Sequence, residues 1–116
     1  MIHEPENTAG MEQYTLVLVK KSEKWNPDTA EFSDAMSRHR SFMKDMIARG
    51  NIAVAGPFAS DEPSDFGGVA IFRVGTEETG KLVREDPLVK ARVTKPEIHP
   101  WITGKGVLAP GQPMKE

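Results

Sequence analysis

Cysteine is absent from the 116-residue chain. That excludes disulfide staples, thiol nucleophiles and zinc–thiolate sites. Long apolar runs are missing too: the longest aliphatic stretch, around Leu16 to Val19, is far too short to cross a bilayer. Neither sign of charge dominates, with 15 Lys and Arg against 17 Asp and Glu. The densest basic spot, Arg38-His39-Arg40, is too small for a nucleic-acid footprint. The histidines, His3, His39 and His99, lie far apart, so no HExxH-like spacing exists and a metal site would have to assemble in space. A Walker loop and a dinucleotide fingerprint are also lacking. The opening "MIHEPENTAG" has no positive start and no apolar core, so no secretory signal is read there. A cytoplasmic location is the default expectation.

What is present suits one ordinary domain with one core. The apolar fraction is 38% and the charged fraction 28%. Residues 14 to 20, "YTLVLVK", are β-formers with apolar side chains on both faces. Asn26-Pro27 then signals a turn, and Asp28 with Glu31 offers a capping box, with Ser33 as an alternative cap. From Phe32 the apolar residues fall at 32, 35, 36, 42, 43, 46 and 47, the spacing of one helical face. Gly50 is placed to stop that helix in a left-handed cap.

"NIAVAGPF" at 51 to 58 reads as a second strand and "GVAIFRV" at 68 to 74 as a third, with a loop rich in Asp, Ser, Pro and Gly between them. Asp61, Glu62 and Asp65 in that loop read as a solvated rim. "TEETGKLVRE" at 76 to 85 reads as a short helix capped by Thr76 and closed by Asp86-Pro87. "PLVKA" adds a turn, and 93 to 102 forms a fourth strand interrupted by Pro96 and Pro100.

The order β-α-β-β-α-β is the α+β ferredoxin-like pattern, a four-stranded antiparallel sheet with the first and third strands central. The prolines agree, since strands one and three carry none and strands two and four would be edges. Two helices cover one face of such a sheet. Leu16 and Leu18 oppose Val17 and Val19, so the second face is apolar as well. Leaving it wet forgoes roughly 25 cal/mol per Å² of apolar surface. A homodimer packing sheet to sheet is therefore expected. The domain is expected over 14–102, between a leader at 1–13 and a tail at 103–116.

Stepping about 100° per residue puts His39 within about 20° of Phe32, inside the apolar stripe. One reading is a core histidine with backbone partners; the other is a proton-transfer group facing a pocket, since imidazole changes charge near neutral pH. Asp86, immediately before Pro87, is an ordinary N-cap. Both roles fit together if one carboxylate oxygen caps and the other faces a pocket. Gly67-Gly68 reads as a bulge, or as a place where a ligand or backbone comes close. His99 and Trp101 share a strand face and are assigned to the dimer contact.

"MSRHRSFMKDMIARGNIAVAGPF", then a "GG"-headed strand, then "REDPLV" and "IHPW", resemble the YCII-related (YciI-like) family over Tyr14 to Trp101. The resemblance implies a dimeric ferredoxin-like α/β barrel with a cleft where a helix histidine meets an aspartate, here His39 and Asp86. These two are the expected catalytic pair, and Gly56, Pro57, Phe58 and Gly68 the expected substrate-binding residues. One branch is similar to dehydrochlorinases acting on chlorinated hydroxyquinols, and the fold resembles muconolactone isomerases. The implied chemistry is cofactor-independent acid–base lyase or isomerase chemistry on a small organic molecule, with neither metal nor cofactor expected. A non-catalytic small-molecule binder or accessory module of the same fold is the competing expectation. The tail after Trp101 is longer than in the shorter members and is placed to reach across the dimer.

Overall fold

A computed structural model describes residues 10–59 and 64–108. The N-terminal leader up to residue 9, Asp61 and Glu62 of the expected rim, and the tail from residue 109 lie outside the described residues. The elements are β1 (Met11–Lys21), α1 (Ala30–Ala48), β2 (Ile52–Pro57), β3 (Phe66–Phe72), α2 (Thr76–Val83), α3 (Pro87–Lys90) and β4 (Thr94–Gly104). The strands form one antiparallel sheet in the order β2-β3-β1-β4. This is the expected α+β ferredoxin-like arrangement, with the proline-bearing strands at the edges.

The two long strands β1 and β4 pair along their whole length, from Met11 opposite Gly104 to Lys21 opposite Thr94. β1 thus starts before the apolar alternation does. Glu12 and Gln13 are held by the ladder and by the turn beyond it, where Glu12 Oε1 accepts the Gly106 N–H at 3.1 Å.

Helix α1 starts differently from the expected capping box. Asn26 Oδ1 accepts the Asp28 N–H at 3.1 Å, and this side-chain turn delivers Thr29 to the cap. Thr29 is extended, and its hydroxyl accepts the Phe32 N–H at 3.1 Å. Asp28 is occupied by the turn and caps nothing. At the other end Gly50 has φ +82°, with Gly50 N–H on the Ile47 carbonyl and Asn51 N–H on that of Met46. That pair of bonds is the Schellman termination. The cap of α2 is Gly75, not Thr76, and it has no side-chain bond; Thr79 instead donates its hydroxyl to the Val74 carbonyl at 3.3 Å.

One face of the sheet meets the helices. Val17, Ala70, Phe72 and Ile52 cluster there with Met46 of α1 and Val83 of α2. A second cluster joins Phe32 and Ala35 of α1 to Leu88 of α3 and to Val93, with Trp25 and Met36 against it. The other sheet face carries Leu16, Leu18 and Val69, all partly open to solvent, and Val54, which is 50% exposed. On it the Tyr14 and Trp101 rings lie 6.4 Å apart at a tilt.

Candidate functional site

On α1 the apolar stripe divides between two partners. Phe32, Ala35 and Met36 belong to the cluster with Leu88, while Phe42, Met43, Met46 and Ile47 belong to the cluster under the sheet. His39 falls between the two sets. The same division recurs further along the chain, where Val83 packs with the sheet cluster and Leu88 with the other, and Asp86 falls between. The imidazole and the carboxylate therefore meet between the members of the two clusters.

Their contact is close and symmetric: His39 Nδ1 lies 2.9 Å from both Oδ1 and Oδ2 of Asp86. The side chains are 20% and 12% exposed, so the ring is partly shielded without being sealed. Asp86 is also the N-cap of α3. Its Oδ1 accepts the Leu88 N–H at 2.9 Å, and Pro87 follows at the first helical position. Capping and histidine contact thus coexist on one carboxylate. The cap holds the carboxylate's orientation, and the carboxylate in turn holds the ring.

An ionised carboxylate only accepts hydrogen bonds, so Nδ1 carries the proton and donates it. This choice of tautomer leaves the lone pair on Nε2. The arrangement is the one in which a carboxylate at hydrogen-bond distance sits behind the ring nitrogen opposite the free one. Of the flanking residues, Arg38 turns outward and pairs with Asp34 at 3.2 Å, and Glu85 pairs with Lys90 at 3.0 Å.

An open groove of about 790 Å³ runs between the β1–α1 loop, α1 and α3, over an apolar floor of Phe32, Ala35 and Val93. Arg38, Glu85 and Pro87, immediate chain neighbours of the pair, border it, but neither His39 nor Asp86 does. The pair is therefore defined by its own contact geometry, beside the groove rather than within it. Among the described residues no three His, Cys, Asp or Glu side chains are grouped to hold a metal ion.

The expected substrate-binding residues lie at the end of the β2–β3 hairpin. Pro57 pairs with Gly68, and the Phe58 N–H donates to the Gly67 carbonyl at 3.0 Å. Gly68 has a packing reason of its own, because a Cβ there would lie 2.7 Å from the Gly56 carbonyl oxygen. A Cβ on Gly67 would meet the Trp25 indole at 2.9 Å, and the β1–β3 register shifts nearby, as the bulge reading requires. Among the described residues no hydrogen bond or ion pair joins Gly56, Pro57, Phe58 or Gly68 to His39 or Asp86. The route between them is packing: Trp25 lies over Gly67 and meets Phe32 edge-on at 4.9 Å. Trp25 was not singled out from the sequence, and a lone tryptophan in a loop gives little signal. His99 lies on the far sheet face beside Glu97, at 3.7 Å.

No family model matches the chain, and no curated protein matches it. Among solved structures it is similar to 5-chloro-2-hydroxyhydroquinone dehydrochlorinase (TftG) from Burkholderia phenoliruptrix AC1100, in complex with 2,5-dihydroxybenzoquinone. The TM-score is 0.59 at 22% identity, over 79% of this chain and 96% of that one. Likeness at that identity establishes a shared fold. Among the described residues no helix is long and apolar enough to cross a membrane.

Proposed function

We propose that the protein is a small cofactor-independent enzyme of the YCII-related kind that moves a proton on a small cyclic organic molecule. His39 Nε2 is the base, and Asp86 holds the Nδ1 proton and stabilises the imidazolium. The observation that carries this reading is the 2.9 Å contact of Nδ1 with both oxygens of a carboxylate that a helix cap holds in place. The shared fold with a dehydrochlorinase supports lyase-type chemistry, in which proton removal accompanies loss of a leaving group. Gly56, Pro57, Phe58 and Gly68 enter as the outer part of the binding region. Pro57 and Phe58 are exposed side chains there, Phe58 at 36%.

The functional unit in this reading is a homodimer closed over the Leu16, Leu18 and Val69 face of the sheet, with His99 and Trp101 in the contact. Size-exclusion chromatography with light scattering tests this, and a monomer at micromolar concentration contradicts it. For the chemistry, purified wild type and His39→Gln are assayed against hydroxylated and halogenated rings, 5-chloro-2-hydroxyhydroquinone among them. Turnover that survives in His39→Gln ends the base assignment.

One observation favours a second reading, a binding or accessory module without turnover. The groove beside the pair is open, and His39 and Asp86 do not line it. A thermal-shift screen separates the two, since a ligand at 100 times its Kd adds about 2.7 kcal/mol whether or not it reacts. Ligands that stabilise the protein and are recovered unchanged support the binding module.

A further inference from the structure

Asp86 owes its direction to α3, and α3 is a single turn of four residues, Pro87–Lys90. A helix that short does not hold its own shape in water. Its place must come from what is packed and bonded around it. Leu88, whose N–H fixes Asp86 Oδ1 at 2.9 Å, is 2% exposed and clusters with Phe32 and Ala35 of α1 and with Val93. Trp25, in the loop between β1 and α1, is partly buried against this cluster and meets the Phe32 ring edge-on at 4.9 Å.

The indole is itself held from several sides. It lies on Gly67 of β3 so closely that a Cβ there would come within 2.9 Å of its Cη2. Gly67 also accepts the Phe58 N–H at 3.0 Å, so the indole rests on the end of the β2–β3 hairpin. The Lys21 ammonium sits 5.4 Å from the ring centroid. The loop that carries Trp25 is tied to the far end of α3. Trp25 N–H donates to the Ser22 carbonyl at 3.0 Å, and Ser22 donates its N–H to the Val93 carbonyl at 3.0 Å and its hydroxyl to that of Arg92 at 2.6 Å. Arg92, at φ +63°, makes the left-handed turn that leaves α3. Hydrogen bonds thus fasten one end of the single turn to the loop, while the indole backs the cluster that supports the other.

We infer that Trp25 is a positioning residue for the His39–Asp86 pair: set between the hairpin end and Phe32, it holds α3 against α1 and so keeps the Asp86 carboxylate on His39 Nδ1. This rests on the proposed base reading and names a support outside the pair that sets its geometry. The route is a contiguous run of packed side chains and one hydrogen bond, from Gly67 through Trp25, Phe32 and Leu88 to Asp86. Loss of the ring leaves a void that its surroundings fill only in part. The turn of α3 then shifts against α1, and a hydrogen bond weakens steeply as its geometry departs from the best.

The test reads the His39 ring by nitrogen-15 NMR of the full chain at neutral pH. His99, on the far sheet face, is the internal control, and melting curves establish that each variant is folded at the temperature of measurement. In Trp25→Ala the ratio of the Nδ1–H to the Nε2–H form of neutral His39 should fall about fivefold or more, with the His99 signals unchanged. Trp25→Phe, which keeps an aromatic ring for Phe32, should stay nearer wild type. Gly67→Ala keeps the indole but pushes its edge off β3, and should move the ratio the same way by less. A general loss of stability does not by itself change the tautomer of a folded chain. A folded Trp25→Ala with the wild-type ratio overturns the inference, as does a Trp25→Phe no closer to wild type than Trp25→Ala. If Trp25→Ala does not fold, an unchanged ratio in Gly67→Ala overturns it. If wild-type His39 carries its proton on Nε2, the base reading and this inference fall together; if the Nδ1–H form persists in every variant, this inference alone falls.

Discussion

The described residues include two histidine–carboxylate pairs, and they are built in opposite ways. His99 and Glu97 are two residues apart on one strand face, 3.7 Å between nitrogen and oxygen, with side chains 52% and 39% exposed. His39 and Asp86 are 47 residues apart, 2.9 Å from Nδ1 to each oxygen, with 20% and 12% exposure. The first pair exists because strand geometry puts alternate side chains on one face. The second exists because a 19-residue helix and a helix cap are packed against each other by Phe32, Ala35 and Leu88. The lesson is that proximity alone does not orient such a pair. Its direction is fixed when the carboxylate has a third partner, as Asp86 has in the Leu88 N–H.

The largest difference between the pairs should appear in turnover. His39→Gln is expected to lower the rate on a found substrate by about 10²–10⁴-fold, and His99→Gln to leave it within about twofold of wild type; steady-state kinetics on both variants checks this. Stability should separate the carboxylates next. Asp86→Ala removes a cap worth about 1 kcal/mol, or about 4–8 °C in Tm for a domain of this size. Glu97→Ala, at a half-exposed position, should stay within about 0.5 kcal/mol. Asp86→Asn sharpens the test, because asparagine caps as well as aspartate. It should keep most of the stability while losing the rate, which a purely structural Asp86 would not do.

A smaller contrast is expected in coupling. A double-mutant cycle in urea should give the His39–Asp86 pair about 1 kcal/mol or more, and the His99–Glu97 pair about 0.5 kcal/mol or less. The smallest effect concerns Glu12, a carboxylate outside both pairs. The Gly106 N–H and then the Tyr14 hydroxyl hold its carboxyl below the ordinary value of 4.5. A carboxyl depressed on folding contributes stability that is present above its unfolded pKa and lost as pH falls through the folded one. Glu12→Gln should therefore lower Tm slightly near neutral pH and match wild type at strongly acid pH. Melting curves across that range read the convergence.

Much of this architecture was legible in the sequence because its signals are local. Proline-free β1 and β3, the stripe from Phe32 to Ile47 and the Asp86-Pro87 boundary each depend on near neighbours in the chain. What was not legible depends on distant partners. Met11 to Gln13 show no alternation and are strand because β4 continues opposite them. Thr29 caps α1 because the Asn26 side chain takes the Asp28 amide first. The need for glycine at Gly68 arises from a carbonyl on another strand. His39 and Asp86 each looked ordinary alone, a histidine in a stripe and a cap before proline. Their meeting was suggested by family resemblance, not by periodicity. Arg92 gave no signal at all, because "DPLVKAR" does not reveal which residue will turn left-handed.

The central claim is that Asp86 holds the proton of His39 on Nδ1 and leaves Nε2 as the base. Nitrogen-15 NMR of the histidine rings at neutral pH reads this directly. The account predicts that neutral His39 is the Nδ1–H tautomer in the wild type and that Asp86→Asn reduces that preference, while His99 shows the same ring signals in both proteins. A neutral His39 protonated on Nε2 in the wild type, with the lone pair turned toward Asp86, would contradict it.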